Sequence, residues 1–68
     1  MHNWDDLRFF LAVARGHTLT AAAAMLKVDA TTVGRRIEPL ANTLNTSLFE
    51  AGPGGLHLTP GGDQLLAY

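Results

Sequence analysis

Residues 18–40, TLTAAAAMLKVDATTVGRRIEPL, read as two short helices joined by a tight turn. In the first, Leu19, Ala22, Ala23 and Leu26 recur three and four apart, and in the second Val33, Ile37, Leu40 and Leu44 do the same. Each helix therefore carries one apolar stripe, and the two stripes can bury against each other as a helix-turn-helix. On the far side of the second helix, Thr31 and Arg35 point directly away from its stripe, with Thr32, Gly34 and Arg36 on the flanks. Hydroxyl and guanidinium groups suit phosphates and base edges.

Upstream of this stretch, Asn3 can cap a first helix with Asp5 and Asp6 in its first turn, where negative charge favours the helix dipole. That helix runs to about Arg15, with Gly16 as its stop. Trp4, Leu7, Phe10, Leu11 and Ala14 make a broad apolar face, which Phe9 and Val13 widen. Thr18 or Thr20 can cap the second helix, and the Ala21–Ala24 run leaves a nearly flat surface for close helix approach. In the connection Lys27-Val28-Asp29-Ala30, Val28 is the apolar anchor and Asp29 an N-cap for the third helix.

The third helix begins near Ala30 or Thr31. Pro39 removes an amide donor and crowds the Arg35 carbonyl, a defect worth about 3 kcal/mol in a helix interior. Because Leu40 and Leu44 keep the phase of Val33 and Ile37, a kinked but continuing helix is expected, ending near Asn45. Beyond it, Leu48-Phe49-Glu50 and Leu56-His57-Leu58 read as extended segments around the turn Gly52-Pro53-Gly54-Gly55. Such a hairpin behind a helix-turn-helix is a wing. Thr59-Pro60 then opens a last helix with Leu65, Leu66 and Tyr68 apolar. Roughly two turns of helix are marginal alone, so the segment reads as the start of a longer helix or one that a partner stabilises.

The 68 residues make one small domain with a thin core. There is no cysteine for a disulfide or thiolate site, no basic-then-apolar leader and no apolar stretch of membrane-spanning length, so a cytoplasmic protein is expected. The formal net charge of −1 is unevenly placed. Through position 36 there are five basic residues (Arg8, Arg15, Lys27, Arg35, Arg36) against three acids, a net +2; from 37 onward there are three acids and no Lys or Arg, a net −3. Positive potential thus gathers near the third helix, which suits a local docking patch of modest non-specific affinity. His2, His17 and His57 lie far apart with no Cys or paired carboxylate pattern, and Gly52–Gly55 lacks the Lys-Ser/Thr of a phosphate loop. Neither an enzyme nor a metal or other cofactor is expected.

From end to end, the order of residues resembles the N-terminal DNA-binding domain of LysR-type transcriptional regulators. The resemblance rests on Leu7, Phe10, Val13 and Ala14; on Leu19, Ala22, Ala23 and Leu26; on Val28, Val33, Arg35, Ile37 and Leu40; and on Leu44, Leu48-Phe49, Leu58-Thr59 and Gly62. It implies a mainly α fold, a winged helix-turn-helix over residues 1–59, with 60–68 the start of a linker helix used for dimerisation through Leu65, Leu66 and Tyr68. The recognition helix, about 30–44, would enter the major groove of promoter DNA, and the wing would touch the backbone or minor groove. By the same resemblance the DNA-binding residues are Ala30, Thr31, Thr32, Gly34, Arg35 and Arg36, with Lys27 before the helix and Gly54 and Gly55 in the wing. A homodimer or tetramer is implied, together with a C-terminal domain, absent from this chain, that senses a small-molecule effector.

Several positions depart from the family pattern. Family members commonly carry Ser-Gln-Pro where this chain has Asp29-Ala30-Thr31, and Ser where it has Gly34. The usual Glu, Gly and Arg are here Ala41, Asn45 and Ala51, so the wing lacks a phosphate-binding cation and would use backbone amides or His57. Weak, strongly dimer-dependent DNA binding follows as an expectation. The alternative is a winged-helix interaction or dimerisation module with little or no DNA binding, a reading that the net acidity and bare wing favour and the outward Thr31, Thr32, Arg35 and Arg36 oppose.

Overall fold

Small side chains let three helices close on one another. The computed structural model describes residues 4–67, without the side chain of Trp4; the Asn3 cap and Tyr68 lie outside the described residues. Its elements are α1 (Trp4–Gly16), α2 (Leu19–Leu26), α3 (Ala30–Leu44), β1 (Phe49–Gly52), β2 (Gly55–Leu58) and α4 (Pro60–Ala67). This is the expected mainly helical domain with a two-stranded antiparallel wing.

Ala22 and Ala23 supply the flat face of α2, and both are buried against Phe9, Ala12 and Val13 of α1 and Val33 of α3. Leu19, Leu26 and Ile37 close the rim of this cluster. A second cluster joins Phe10 of α1, Leu40 of α3 and Leu48, with Phe49, Leu58 and Leu65 packed around it. The Phe10 and Phe49 rings meet at 5.4 Å in a tilted arrangement, which fastens the wing to α1. At about 1.5–3 kcal/mol per fully buried large side chain, Phe10, Val13, Val33, Leu40 and Leu48 dominate the stabilisation.

The apolar face of α1 is rotated from the one its spacing favours. Phe9, Phe10, Ala12 and Val13 are buried, whereas Leu7, Leu11 and Ala14 are only half-buried. The helix is pressed between α2–α3 on one side and the wing on the other, so two faces are covered and a single stripe misplaces the centre. Val28 is likewise a weak anchor, being 37% exposed.

Each of the three helix ends before the wing turns on a non-glycine residue in the left-handed region: His17 (φ 67), Lys27 (φ 59) and Asn45 (φ 53). Asn45 is the expected C-cap, and its N–H together with that of Thr46 satisfies the Asn42 and Ala41 carbonyls at 3.1 Å. Gly16, expected as the stop of α1, is instead its last helical residue, and the reversal falls on His17. At the other ends, Thr18 rather than Thr20 caps α2, its hydroxyl accepting from the Ala21 amide at 2.9 Å. Asp29 holds the N-cap position of α3 through its backbone carbonyl, which accepts from Thr32 and Val33; its carboxylate makes no capping bond. Pro39 sits inside α3 on an exposed turn, and the helix continues through it as the phase of Leu40 requires.

The wing is shorter than expected at its start, since Leu48 precedes β1 and is buried at 1% exposure. Phe49 pairs with Leu58 and Gly52 with Gly55, leaving Pro53-Gly54 as the turn, with Gly54 at φ 83. At its base, the Thr59 N–H donates to the Leu48 carbonyl at 3.1 Å, and the buried Thr59 hydroxyl donates to the Ser47 carbonyl and accepts from the Gly62 amide at 3.1 Å. Thr59 therefore caps α4 as expected and also fixes the base of the wing. Gly62 is needed there because a Cβ would overlap the Leu48 carbonyl oxygen.

Candidate nucleic-acid interface

The outward side of α3 is built from residues spaced by whole turns. Thr31, Arg35, Glu38 and Asn42 are all exposed along one line of the helix, and Thr32 beside them is half-buried. Arg35 forms no ion pair among the described residues, so its planar fork of donors remains available for a guanine edge or phosphate. Lys27 is exposed at the left-handed corner that leads into α3.

Other candidate positions also make contacts within the fold. Arg36 is turned back onto α1: its Nη1 lies 3.6 Å from Asp6 Oδ1, and its guanidinium carbon lies 5.5 Å from the centre of the Phe9 ring. Ala30 is half-buried against the first core cluster. Gly34 is half-buried on the flank facing α2, where a Cβ would stand 3.7 Å from Leu19 Cδ1. Thr31, Arg35 and Lys27 are thus exposed on the outer surface with Thr32 half-buried beside them, Ala30 and Gly34 are half-buried towards the helices behind, and Arg36 is exposed but paired with Asp6.

In the wing, Gly54 is at the exposed tip, but Gly55 is a packing residue. With φ 128, it lets β2 press against the α1–α2 corner, where a Cβ would overlap the His17 carbonyl oxygen. That same oxygen accepts from the Leu56 amide at 2.5 Å, and the His17 ring Nδ1 bonds the Leu56 carbonyl at 3.0 Å. Two reciprocal bonds therefore fasten the wing to the N-terminus of α2. They also bring His17 to His57, with ring centroids 5.3 Å apart. Nothing in the sequence signals this pairing, because the two histidines are 40 positions apart and belong to different elements. Among the described residues no group of three His, Cys, Asp or Glu side chains is placed to hold a metal ion.

On another side of the molecule, an apolar groove of about 830 Å³ runs between α1, the end of α3 and α4. Leu7, Leu11, Leu44, Leu65 and Leu66 supply its apolar lining. Leu65 packs partly against the second core cluster, whereas Leu66 is 47% exposed and Leu44 40%. No helix among the described residues is long and apolar enough to cross a membrane.

A family model described as a bacterial regulatory helix-turn-helix protein of the lysR family matches residues 4–63. The Mau operon transcriptional activator of Paracoccus denitrificans is 44% identical over 52 residues, which is 76% of this chain and 18% of that protein. The regulator YofA of Bacillus subtilis is 41% identical over 63 residues, or 93% of this chain and 22% of its own length. The chain thus spans about a fifth of these relatives. Among solved structures, the DNA-binding domain of BenM in complex with benA site 1 DNA superposes with a TM-score of 0.90 at 30% identity, covering 98% of this chain and 78% of that one. A complex of the CbnR DNA-binding domain with DNA gives 0.89 at 30% identity, covering 97% and 76%.

Proposed function

The chain belongs to the LysR family of bacterial helix-turn-helix regulators, and from that premise we propose that it is the sequence-reading head of a transcriptional regulator. The N-terminal half of α3 lies in the major groove, with Arg35 paired to a guanine and Thr31 and Thr32 on phosphates or a thymine methyl. Lys27 and the wing tip at Gly54 meet the backbone on either side. The observation that carries this reading is the outward line of Thr31 and Arg35, exposed on the long helix of a winged domain and without an ion pair for Arg35 among the described residues.

Residues 1–59 form the DNA-binding unit, and residues 60–68 begin the helix that joins two copies. The apolar groove, with Leu65 and Leu66 on α4, is the face on which that dimer or a tetramer is built. A small-molecule effector acts through a separate domain of the whole regulator, which works in the cytoplasm on promoter DNA.

The test is a footprint on the promoter region of its own gene, repeated with single substitutions. Arg35→Ala is expected to lose about 1–3 kcal/mol of discrimination for the cognate site over mixed sequence. Arg36→Ala is expected to weaken binding less, because its charge is already shared with Asp6. Unchanged discrimination by the Arg35 variant would remove the base-reading role. Failure of the unsubstituted protein to protect any duplex would instead favour an interaction or dimerisation module.

A further inference from the structure

The wing contains no lysine or arginine, yet two imidazoles meet where it joins α2. Their hydrogen bonds assign their protons. A backbone carbonyl can only accept, so the ring nitrogen facing it must carry hydrogen. His17 Nδ1 therefore donates to the Leu56 carbonyl at 3.0 Å, and His57 Nε2 donates to the Pro53 carbonyl at 2.7 Å. The second nitrogen of each ring, Nε2 of His17 and Nδ1 of His57, is left to take up a proton. Both residues are exposed, so a proton and a ligand can reach them from solvent.

The charged groups around the pair are few. Glu50 stands opposite His57 in the strand register, and Arg15 lies in the last turn of α1 two residues before His17. Neither α2 nor the Gly52–Gly55 turn contains a titratable side chain. Among the described residues neither imidazole is held in an ion pair. Position supplies the remaining element. In a helix-turn-helix, the helix before the recognition helix crosses the phosphate backbone; His17 stands at the N-terminal end of that helix, and the wing is bonded to it through Leu56.

We propose that His17 and His57 form a proton-dependent phosphate contact, which takes the place of the missing wing cation. When protonated, each ring keeps its bond to the carbonyl and gains a second N–H and a positive charge for a DNA phosphate oxygen. Binding then favours the protonated rings, so affinity for duplex DNA rises as pH falls. The proposal rests on the DNA-binding reading above.

Because a phosphate contact is blind to base sequence, the probe is a fluorescent duplex of mixed sequence. Its affinity for the protein is followed by anisotropy against salt at about pH 6 and pH 8. Affinity at the lower pH is expected to be several-fold to about tenfold higher, with the log–log salt slope steeper by about 0.9 for each protonated histidine in contact. His17→Asn and His57→Gln place a neutral N–H near the original donor, so they preserve the carbonyl bonds, and thermal melts verify the fold. Both are expected to flatten the pH dependence and the change in slope, whereas His2→Asn retains them. Equal slopes at the two pH values in the unsubstituted protein overturn the proposal even if a variant fails to fold. Folded variants that keep the full pH dependence overturn it too. Absence of duplex binding at both pH values defeats the DNA-binding reading itself and the proposal with it; pH-independent binding defeats the proposal alone.

Discussion

Replacing Gly55 with alanine tests how firmly the wing is anchored to the helix-turn-helix. Gly55 has φ 128, where side chains are rarely tolerated, and its new Cβ would overlap the His17 carbonyl oxygen while lying 3.1 Å from the His17 carbonyl carbon and 3.2 Å from Thr18 Cγ2. Backbone strain alone costs about 1–3 kcal/mol. Relieving the overlap moves β2 outward and breaks the Leu56–His17 backbone bond, worth about 1 kcal/mol net. The same movement withdraws Leu56 from the rim of the first core cluster, forfeiting part of the roughly 1.5–3 kcal/mol of a buried leucine. A total near 3–5 kcal/mol is a large share of the roughly 3–10 kcal/mol expected for a domain of this length. Gly54→Ala is the control: φ is 83, but nothing stands within 4 Å of a Cβ, so it incurs only the backbone part. Urea unfolding followed by far-ultraviolet circular dichroism measures both. Equal losses for the two variants, or a loss below about 1 kcal/mol for Gly55→Ala, would refute the close-approach argument.

Two further substitutions probe the helix ends. Lys27→Gly relieves a left-handed conformation at φ 59, a gain of about 1–2 kcal/mol that glycine's extra chain entropy offsets by about 0.5–1, so stability should rise by up to about 1 kcal/mol in the same urea assay while duplex binding weakens, because an exposed cation beside α3 is lost. Thr59→Ala removes both the cap on the Gly62 amide and the donor to the Ser47 carbonyl. A loss of about 1–3 kcal/mol is expected, with hydrogen exchange accelerating first at the Gly62 amide.

Much of this architecture is legible in the sequence because its signals are local. The three- and four-residue spacing of Leu19, Ala22, Ala23 and Leu26 requires only that α2 have one covered side, which is the case. Asn45 and Thr59 announce helix boundaries through their own backbone and side-chain chemistry. The errors arise where a residue answers to two neighbours. The spacing of α1 misplaces its centre because Phe9 and Phe10 enter different clusters. The pairing of Arg36 with Asp6 and the Phe9 ring is invisible in the sequence because α1 supplies both partners. The close approach of Gly55 to the His17 carbonyl likewise cannot be read from the Gly52–Gly55 turn alone. The His17–His57 pair depends wholly on tertiary contact and carries no local signal.

With Arg36 paired to Asp6 and no Lys or Arg beyond position 36, one head has few permanent charges to offer DNA. Few phosphate contacts mean a shallow salt dependence and weak binding by a single copy. Under the proposed function, useful affinity would come from joining two heads, since the second binding event would become intramolecular and proceed at a high effective concentration. The geometry of α3 would make that coupling rigid. Thr31 and Arg35 lie in its N-terminal half, while Leu44, at its other end, lines the apolar groove beside α4. Thirteen residues separate Thr31 from Leu44, about 20 Å at 1.5 Å per residue, and one continuous helix spans that distance through Pro39. If the groove holds the partner, the spacing between reading surfaces is fixed by the length of this helix and the angle at which two copies meet. In that arrangement the unbroken passage through Pro39 would bear on half-site spacing as well as on stability: a flexible joint there would let the two heads drift out of register and forfeit the gain that a symmetric operator would supply.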